Sequence, residues 1–252
     1  MKPLDAVYQH LNKKPLIGVI GGMGTQATAS FYEMLHSLQQ VSTEQEYLDV
    51  LLYSKPTIPD RTKYIIGQSI ESPLEPIIGV ARTLEAAGAT CIALPCVTSH
   101  YFYAEISRAV KVPILHIPNE TALVAAESGI KKICLLATDG TIRGKVFHTA
   151  FEQNGIEVLI PPDETQSDLM KMIYDVKKGT SVSPEELCSV INVVLSGEAE
   201  AVVLGCTEFC VITSNTEDKT KDNPSVINTL KVLAEAAIRE CRSQTPSREH
   251  QP

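Results

Sequence analysis

Short apolar runs alternate with longer amphipathic stretches along the whole chain. Residues 16–20 form a continuous apolar run of strand length that ends at Gly21-Gly22-Met23-Gly24, a turn signal. The spacing then predicts a helix from about 25 to 40, with Ala29, Tyr32, Met34 and Leu35 on or near its apolar face. A second strand is expected over 48–53. Residues 54–62 hold Pro56, Pro59 and Asp60 and read as a loop. A helix over 72–87 stops at Gly88, and a strand over 90–94 runs straight into Pro95-Cys96. A further helix and a strand over 114–117 end this half.

The remainder repeats the plan. A strand over 132–136 ends in Ala137-Thr138-Asp139-Gly140-Thr141, and a helix reaches about 154 ahead of a strand over 157–160. Helical patterns over 168–178 and 184–195 lead to a strand over 201–204, which delivers Gly205-Cys206. Lys132 follows Leu16 by 116 residues, and Cys206 follows Cys96 by 110. Two similar offsets of that size point to a duplicated α/β unit, because solenoid periods are shorter. Alternating strands and helices imply parallel sheets with helices on both faces.

The expected fold class is therefore α/β, two similar parallel-sheet domains with a ligand cleft between them. The first domain takes 15–118 plus 224–241, where a helix over 226–241 crosses back, and the second takes 119–223. Residues 215–224 are polar and read as a surface loop. Leu4, Val7, Tyr8 and Leu11 recur at helical spacing, so 1–14 is expected to carry a short helix, and the polar 242–252 reads as a disordered tail.

Composition narrows the function. With 252 residues, 44% hydrophobic and 21% charged, the chain has the makeup of an ordinary globular protein of one large or two small domains. Twenty-two basic against thirty acidic residues give a net charge of −8 without a basic stripe, which disfavours nucleic acid and anionic membranes as partners. No run approaches the roughly 18 apolar residues of a membrane span, and the N-terminus has no apolar core of signal-peptide length. Seven cysteines, an odd number without a C-x-x-C pair, argue against a disulfide framework and for the reducing cytosol. Cys91, Cys134 and Cys188 sit in apolar patterns and read as small core residues; Cys241, near the C-terminus, reads as frayed and inert.

Cys96 and Cys206 differ from the others. Each follows the C-terminal end of an expected parallel strand and precedes a hydroxyl residue at a helix start, in Cys96-Val97-Thr98-Ser99-His100 and Cys206-Thr207-Glu208. Ligands of open α/β sheets bind outside those strand ends. Backbone N–H groups at a helix start attract carboxylates and favour thiolates. If the two halves face each other, the two sulfurs converge on one cleft from opposite sides. That geometry moves a proton onto and off one carbon, with one thiolate as general base and the opposing thiol as general acid.

The chain resembles the aspartate/glutamate racemase family. The resemblance is carried by IGVIGGMGTQAT at 17–28, PDRT at 59–62, LPCVTSH at 94–100, LATDGT at 136–141 and LGCTE at 204–208. These motifs stand in family order, and the likeness runs from about 16 to 240. The GGMG turn, without an Asp, is closer to the aspartate-racemase branch. The resemblance implies racemisation without pyridoxal phosphate or any other cofactor or metal, with Cys96 and Cys206 as the acid/base pair. It implies that Gly22, Met23, Gly24, Thr98, Thr138 and Thr207 line the site and hold the α-carboxylate. Glu208 would orient or relay the Cys206 proton, or else cap the helix that follows. Arg61 is the candidate for a side-chain carboxylate, since a guanidinium fork matches it bidentately. Lys177 or Lys178 could add a second cation, although a solvated helix end is the ordinary place for lysine. The resemblance also implies a small amino-acid substrate and a homodimer.

Three positions depart from the family. Val97 replaces the usual Asn of Cys-Asn-Thr and so weakens or changes head-group binding. Ser54 stands where Asn is common, and Asn228 where Asp is frequent. Other reactions of the superfamily, a decarboxylase or a cis–trans isomerase, remain alternatives, as does a non-catalytic binder of an acidic metabolite. Decarboxylases of this kind need only one of the two cysteines. The fingerprint Gly22-x-Gly24-x-x-Ala27 also fits a dinucleotide site, but the second strand ends in Tyr53-Ser54 without the acid a ribose wants. Gly140-Thr141-Ile142-Arg143-Gly144-Lys145 is one residue short of a P-loop. The six histidines lack metal-ligand spacing, and His100 reads as a satisfied structural residue.

Overall fold

The computed structural model describes residues 14–214 and 223–244. The expected N-terminal helix, most of the 215–224 loop and the end of the tail lie outside the described residues. Strands β1 (Leu16–Gly21), β2 (Asp49–Ser54) and β3 (Cys91–Ala93) form a parallel sheet in the order β2-β1-β3. Strands β4 (Lys132–Leu136), β5 (Glu157–Leu159), β6 (Ala201–Leu204) and β7 (Val226–Asn228) form a second parallel sheet in the order β5-β4-β6-β7. The central strands are the uninterrupted apolar runs. Every residue of β6 and all but the first of β1 and β4 are buried, as parallel strands covered on both faces require. The edge strands β2 and β5 keep exposed residues.

Helix α1 (Thr25–Ser37) starts from Gly24, whose extended backbone (φ −99°, ψ 164°) serves as the N-cap. It buries Ala27, Thr28, Phe31 and Leu35. The apolar face is thus rotated from the expected one, and Tyr32 is half exposed. Thr28 ties the helix to the preceding turn: its hydroxyl accepts from Gly22 N–H at 2.9 Å and donates to the Gly24 carbonyl at 2.7 Å. Gly22 has φ +94°, and a Cβ there would lie 2.5 Å from the Lys55 backbone, so only glycine fits.

After β2, the expected loop contains a short helix, α2 (Arg61–Ile65), capped by Asp60, which accepts from Lys63 N–H at 3.0 Å. Helix α3 (Leu74–Ala86) covers the sheet. A 3-10 turn over Val97–Phe102 and α4 (Tyr103–Arg108) follow β3. The expected strand over 114–117 is reduced to a single bridge between Ile92 and Ile114. Ile117 instead opens α5 (Ile117–Glu127), whose first turn holds Pro118, a position that suits a residue without an N–H.

In the second lobe, α6 (Asp139–Arg143) and α7 (His148–Gln153) replace one expected helix, broken where Lys145 takes φ +50°. Helices α8 (Asp163–Lys177), α9 (Pro184–Leu195) and α10 (Thr207–Ser214) complete the layers around β4 and β6. Residues 226–228, expected as helix in the first domain, are β7, paired with β6 in the second sheet. The return to the first lobe therefore begins at α11 (Thr229–Gln244). Asn228 sets that start: its Oδ1 accepts from the N–H groups of Leu230 and Lys231, both at 3.0 Å. Helix α11 packs on α1, α5 and β3 and runs to Gln244, three residues into the expected tail. Cys241 is fully buried, its sulfur 3.6 Å from that of Cys91 in β3, so the frayed position expected for it is corrected.

Candidate active site

Both cysteines stand where a strand hands over to a helix. Cys96 follows β3 by three residues and caps the 3-10 turn Val97–Phe102. Cys206 follows β6 by two residues and precedes α10. Both are buried, 5% and 4% exposed. Several contacts bring the two lobes together around them. Thr207 donates to the carbonyl of Pro95 at 3.4 Å, linking the residue after one cysteine to the residue before the other. A Cβ on Gly24 would lie 2.9 Å from Glu208 Oε1 and 3.9 Å from Lys177 Cγ, so the glycine turn of the first lobe faces this pair in the second. A Cβ on Gly140 would lie 2.8 Å from the Thr62 Cα, where α6 meets α2.

On the second lobe's wall, the Cys206 thiol donates to Glu208 Oε2 at 2.9 Å. Glu208 is buried; its Oε1 has no hydrogen-bond partner among the described residues but lies 4.0 Å from Lys177 Nζ. Burial, and then the Glu208 charge, push the Cys206 thiol well above its ordinary range, against the pull of Lys177. Burial pulls the Lys177 ammonium down, but the Glu208 and Cys206 charges outweigh it and leave its pKa raised. The expectation of a solvated lysine holds for Lys178, whose side chain is 71% exposed, and fails for Lys177, at 18%. Lys177 ends α8 pointing inward, toward the buried carboxylate of Glu208.

On the first lobe's wall, Arg61 is 7% exposed. Its Nη2 donates to the Met23 carbonyl at 3.1 Å and its Nη1 to the Pro59 carbonyl at 3.0 Å, so it braces the Gly22-Met23-Gly24 turn. Its Nε is buried without a partner among the described residues. Burial opposes the guanidinium charge, but negative charge on Cys96 and Asp60 beside it more than compensates and raises its pKa. Met23 is held from the other side by the Ser99 hydroxyl, 3.5 Å from its sulfur.

The expected threonines divide. Thr207 stands at the cysteines. The hydroxyls of Thr98 and Thr138 pair with each other at 3.0 Å, and each lies 3.0 Å from the hydroxyl of Thr141. This buried triangle joins the lobes, and Thr138 also caps α6 through Thr141 N–H at 3.1 Å. Val97 is buried in the apolar core. Ser54 ends β2 and is exposed. His100 is buried, stacked on His116 with ring centroids 5.5 Å apart, and neither ring nitrogen has a well-formed hydrogen bond among the described residues. Burial and then His116 hold it neutral, its pKa lowered to about 3, although the Leu115 and Cys96 backbones act in the opposite sense.

Sequence reasoning missed three contributors. Thr141 lies within the LATDGT stretch and Asp60 within PDRT, so the motifs could have found both. Tyr174 carries no signal: its hydroxyl donates to Asp60 Oδ2 at 3.1 Å across 114 residues of chain. A groove of about 590 Å³ between α8 and α9, lined by Asp168, Asp175 and Glu186, contains neither cysteine. Among the described residues no group of three or more His, Cys, Asp or Glu is placed to hold a metal, and no helix is long and apolar enough to cross a membrane.

A two-lobed α/β protein with a buried cysteine just past a strand end in each lobe is the class this geometry defines. The Asp/Glu/hydantoin racemase family model matches residues 20–237, and the chain belongs to that family. It is an isomerase, an amino-acid racemase. Among curated proteins it is 28% identical over 228 residues to the broad specificity amino-acid racemase RacX of Bacillus subtilis, covering 88% of this chain and 96% of the relative. Among solved structures, Picrophilus torridus aspartate racemase superposes with a TM-score of 0.77 at 31% identity, covering 90% of this chain and 94% of that one. An aspartate racemase homologue from Pyrococcus horikoshii gives a TM-score of 0.71 at 25% identity, covering 92% and 100%.

Proposed function

We propose that this chain racemises an acidic amino acid, aspartate in the first instance, by cofactor-independent two-base transfer of the Cα proton between Cys96 and Cys206. The observation that carries the reading is the pair of unlike surroundings at two matching strand ends: Cys206 donates to Glu208, while Cys96 neighbours the Arg61 cation. A thiolate on Cys96 faces a guanidinium and removes the Cα proton; the Cys206 thiol delivers one to the opposite face. One inversion leaves Cys96 as thiol and Cys206 as thiolate, which is the starting state for the other enantiomer. Return to the first state needs Cys96 to release its proton to solvent as Cys206 takes one up, and Glu208 is the group through which Cys206 regains its proton.

The α-carboxylate is held by backbone N–H groups at the starts of α10 and the 3-10 turn, by the Gly22-Met23-Gly24 turn and by Thr207. The side-chain carboxylate falls to Arg61 Nε and Lys177 Nζ, the first without a partner among the described residues and the second 4.0 Å from Glu208 Oε1. Val97, buried in the apolar core, offers no polar group to the amino-acid head, so the other site residues hold that head group; glutamate and a broader set are the next candidate substrates. Seven cysteines, an odd number without a C-x-x-C pair, fit a reducing, cytoplasmic setting. The assembly is read as a homodimer from the family resemblance.

The test is loss of the α-proton signal of L-aspartate in D₂O by proton NMR, with chiral analysis for the D-enantiomer, then L-glutamate and a neutral panel. Cys96→Ala and Cys206→Ala are each expected to abolish racemisation, and full activity in either refutes the two-base mechanism. Binding of the panel without exchange favours the non-catalytic binder, and release of CO₂ the decarboxylase.

A further inference from the structure

The two cations of the cleft stand on different lobes, Arg61 on α2 and Lys177 at the end of α8. A side-chain hydrogen bond joins the segments that carry them. Tyr174 lies three residues before Lys177 on α8, and its hydroxyl donates to Asp60 Oδ2 at 3.1 Å. Asp60 directly precedes Arg61, and its other oxygen caps α2 through Lys63 N–H at 3.0 Å. One carboxylate therefore sets the start of the helix bearing Arg61 and grips the helix bearing Lys177. The Tyr174 ring also faces the second cation, with Lys177 Nζ 5.4 Å from its centroid, within cation–π range. Asp60 and Tyr174 are both half-buried, so water competes only in part. Burial raises the Asp60 carboxyl, but the Lys63 N–H, Lys177 and Arg61 lower it further, while burial and the Asp60 charge push the Tyr174 phenol up to about 12. The bond is thus phenol to carboxylate across the neutral range.

We infer that the Tyr174–Asp60 hydrogen bond is the closure latch of the cleft: it fixes the spacing of Arg61 and Lys177 and so selects ligands that carry a second carboxylate. The inference rests on the reading of those two cations as carboxylate partners. Two cations at a set separation favour a ligand that engages both. Once the lobes can part, the loss falls on that ligand, while a neutral amino acid loses little. Tyr174 is a positioning residue, acting through Arg61 and Lys177 without touching a reacting atom.

Tyr174→Phe removes the hydroxyl and keeps the ring beside Lys177. The experiment reads the rate at which iodoacetamide alkylates Cys96 and Cys206, mapped by mass spectrometry, with L-aspartate or L-alanine as protectant. Steady-state racemisation of both amino acids is measured in parallel. A lost hydrogen bond to a charged acceptor predicts about a tenfold rise in the half-protecting concentration of L-aspartate and in its KM. The values for L-alanine should change less than about twofold, kcat should change little, and unprotected alkylation should be faster. Asp60→Asn, which can still cap α2 and still meet the Tyr174 hydroxyl, should keep most of the aspartate preference. Equal losses for aspartate and alanine would mark a merely structural contact and overturn the inference, as would unchanged alkylation and protection. If the unmodified protein exchanges no α-proton yet aspartate protects both thiols and Tyr174→Phe weakens that protection, the racemase reading falls and the latch stands. If no dicarboxylic amino acid protects the unmodified protein, the latch itself is refuted.

Discussion

Replacing Thr98 with Val removes one hydroxyl from a triangle of three. Thr98, Thr138 and Thr141 each place an Oγ1 3.0 Å from the other two, in a buried position where the first lobe meets the second. Three hydroxyls carry three protons, so a closed ring can satisfy every donor. Without Thr98 two of the three contacts vanish, and one remaining O–H loses its acceptor in the protein interior. Two net hydrogen bonds at about 1 kcal/mol each, overlapping with the cost of a stranded buried donor, give a loss of about 2–3 kcal/mol. At roughly 2–4 °C per kcal/mol for a chain of this size, Tm should fall by about 4–12 °C. Thr98→Ser keeps the hydroxyl and gives up one methyl group, for about 1 kcal/mol. Urea and thermal unfolding followed by circular dichroism separate the two variants, and the double variant with Thr141→Val should lose less than the sum of the singles. If Thr98→Val costs under about 0.5 kcal/mol while raising KM, the hydroxyl serves the substrate and the triangle is incidental.

Two further outcomes follow from the charges. Glu208→Gln removes a negative charge that raises the Cys206 pKa and leaves Lys177 in place, so the midpoint pH for Cys206 alkylation should move down; kcat should fall by about a hundredfold or more if Glu208 relays the proton, and an unmoved midpoint would remove it from the site. His100 has an ordinary value of 6.5 but takes a proton in the folded chain only near pH 3, so the unfolded chain binds one more proton between those values, and stability should fall as the pH drops through that window, by up to about 1.4 kcal/mol per unit. His100→Phe should flatten that slope by up to one proton in urea titrations between about pH 4 and 6.

What can be read from the sequence depends on the range of the interaction. Strands β1, β4 and β6 are legible because a buried parallel strand must be apolar at every position, and the run itself sets their bounds. Residues 114–117 carry the same signal, yet Pro113 and Pro118 leave the backbone little to offer a ladder, and only one bridge forms. Strand β7 has three residues and pairs on one side only, too short a stretch for any period to show. The cysteines are legible because each ends an apolar run, and Arg61 because a motif surrounds it. Lys177 looks solvated in the sequence because the last turn of a helix usually faces water; what turns it inward is Glu208, 31 residues on and in another element. The Tyr174–Asp60 bond spans 114 residues and two lobes, and nothing local announces it.

Under the proposed two-base mechanism, two thiols from a duplicated unit serve one carbon with one proton between them, and their surroundings decide which sulfur holds it. The two lobes here differ in the residues around each sulfur. The first sets a buried guanidinium near Cys96, anchored on the Met23 and Pro59 carbonyls. The second sets a buried carboxylate 2.9 Å from Cys206, which raises that thiol's pKa and so favours its protonated form. Lys177 limits the bias by offsetting part of the Glu208 charge. Without that offset the Cys206 thiol would be a weaker acid still. Racemisation runs in both directions, so under the proposed two-base mechanism the carboxylate favours the proton on Cys206 while the nearby ammonium keeps that thiol acidic enough to release it.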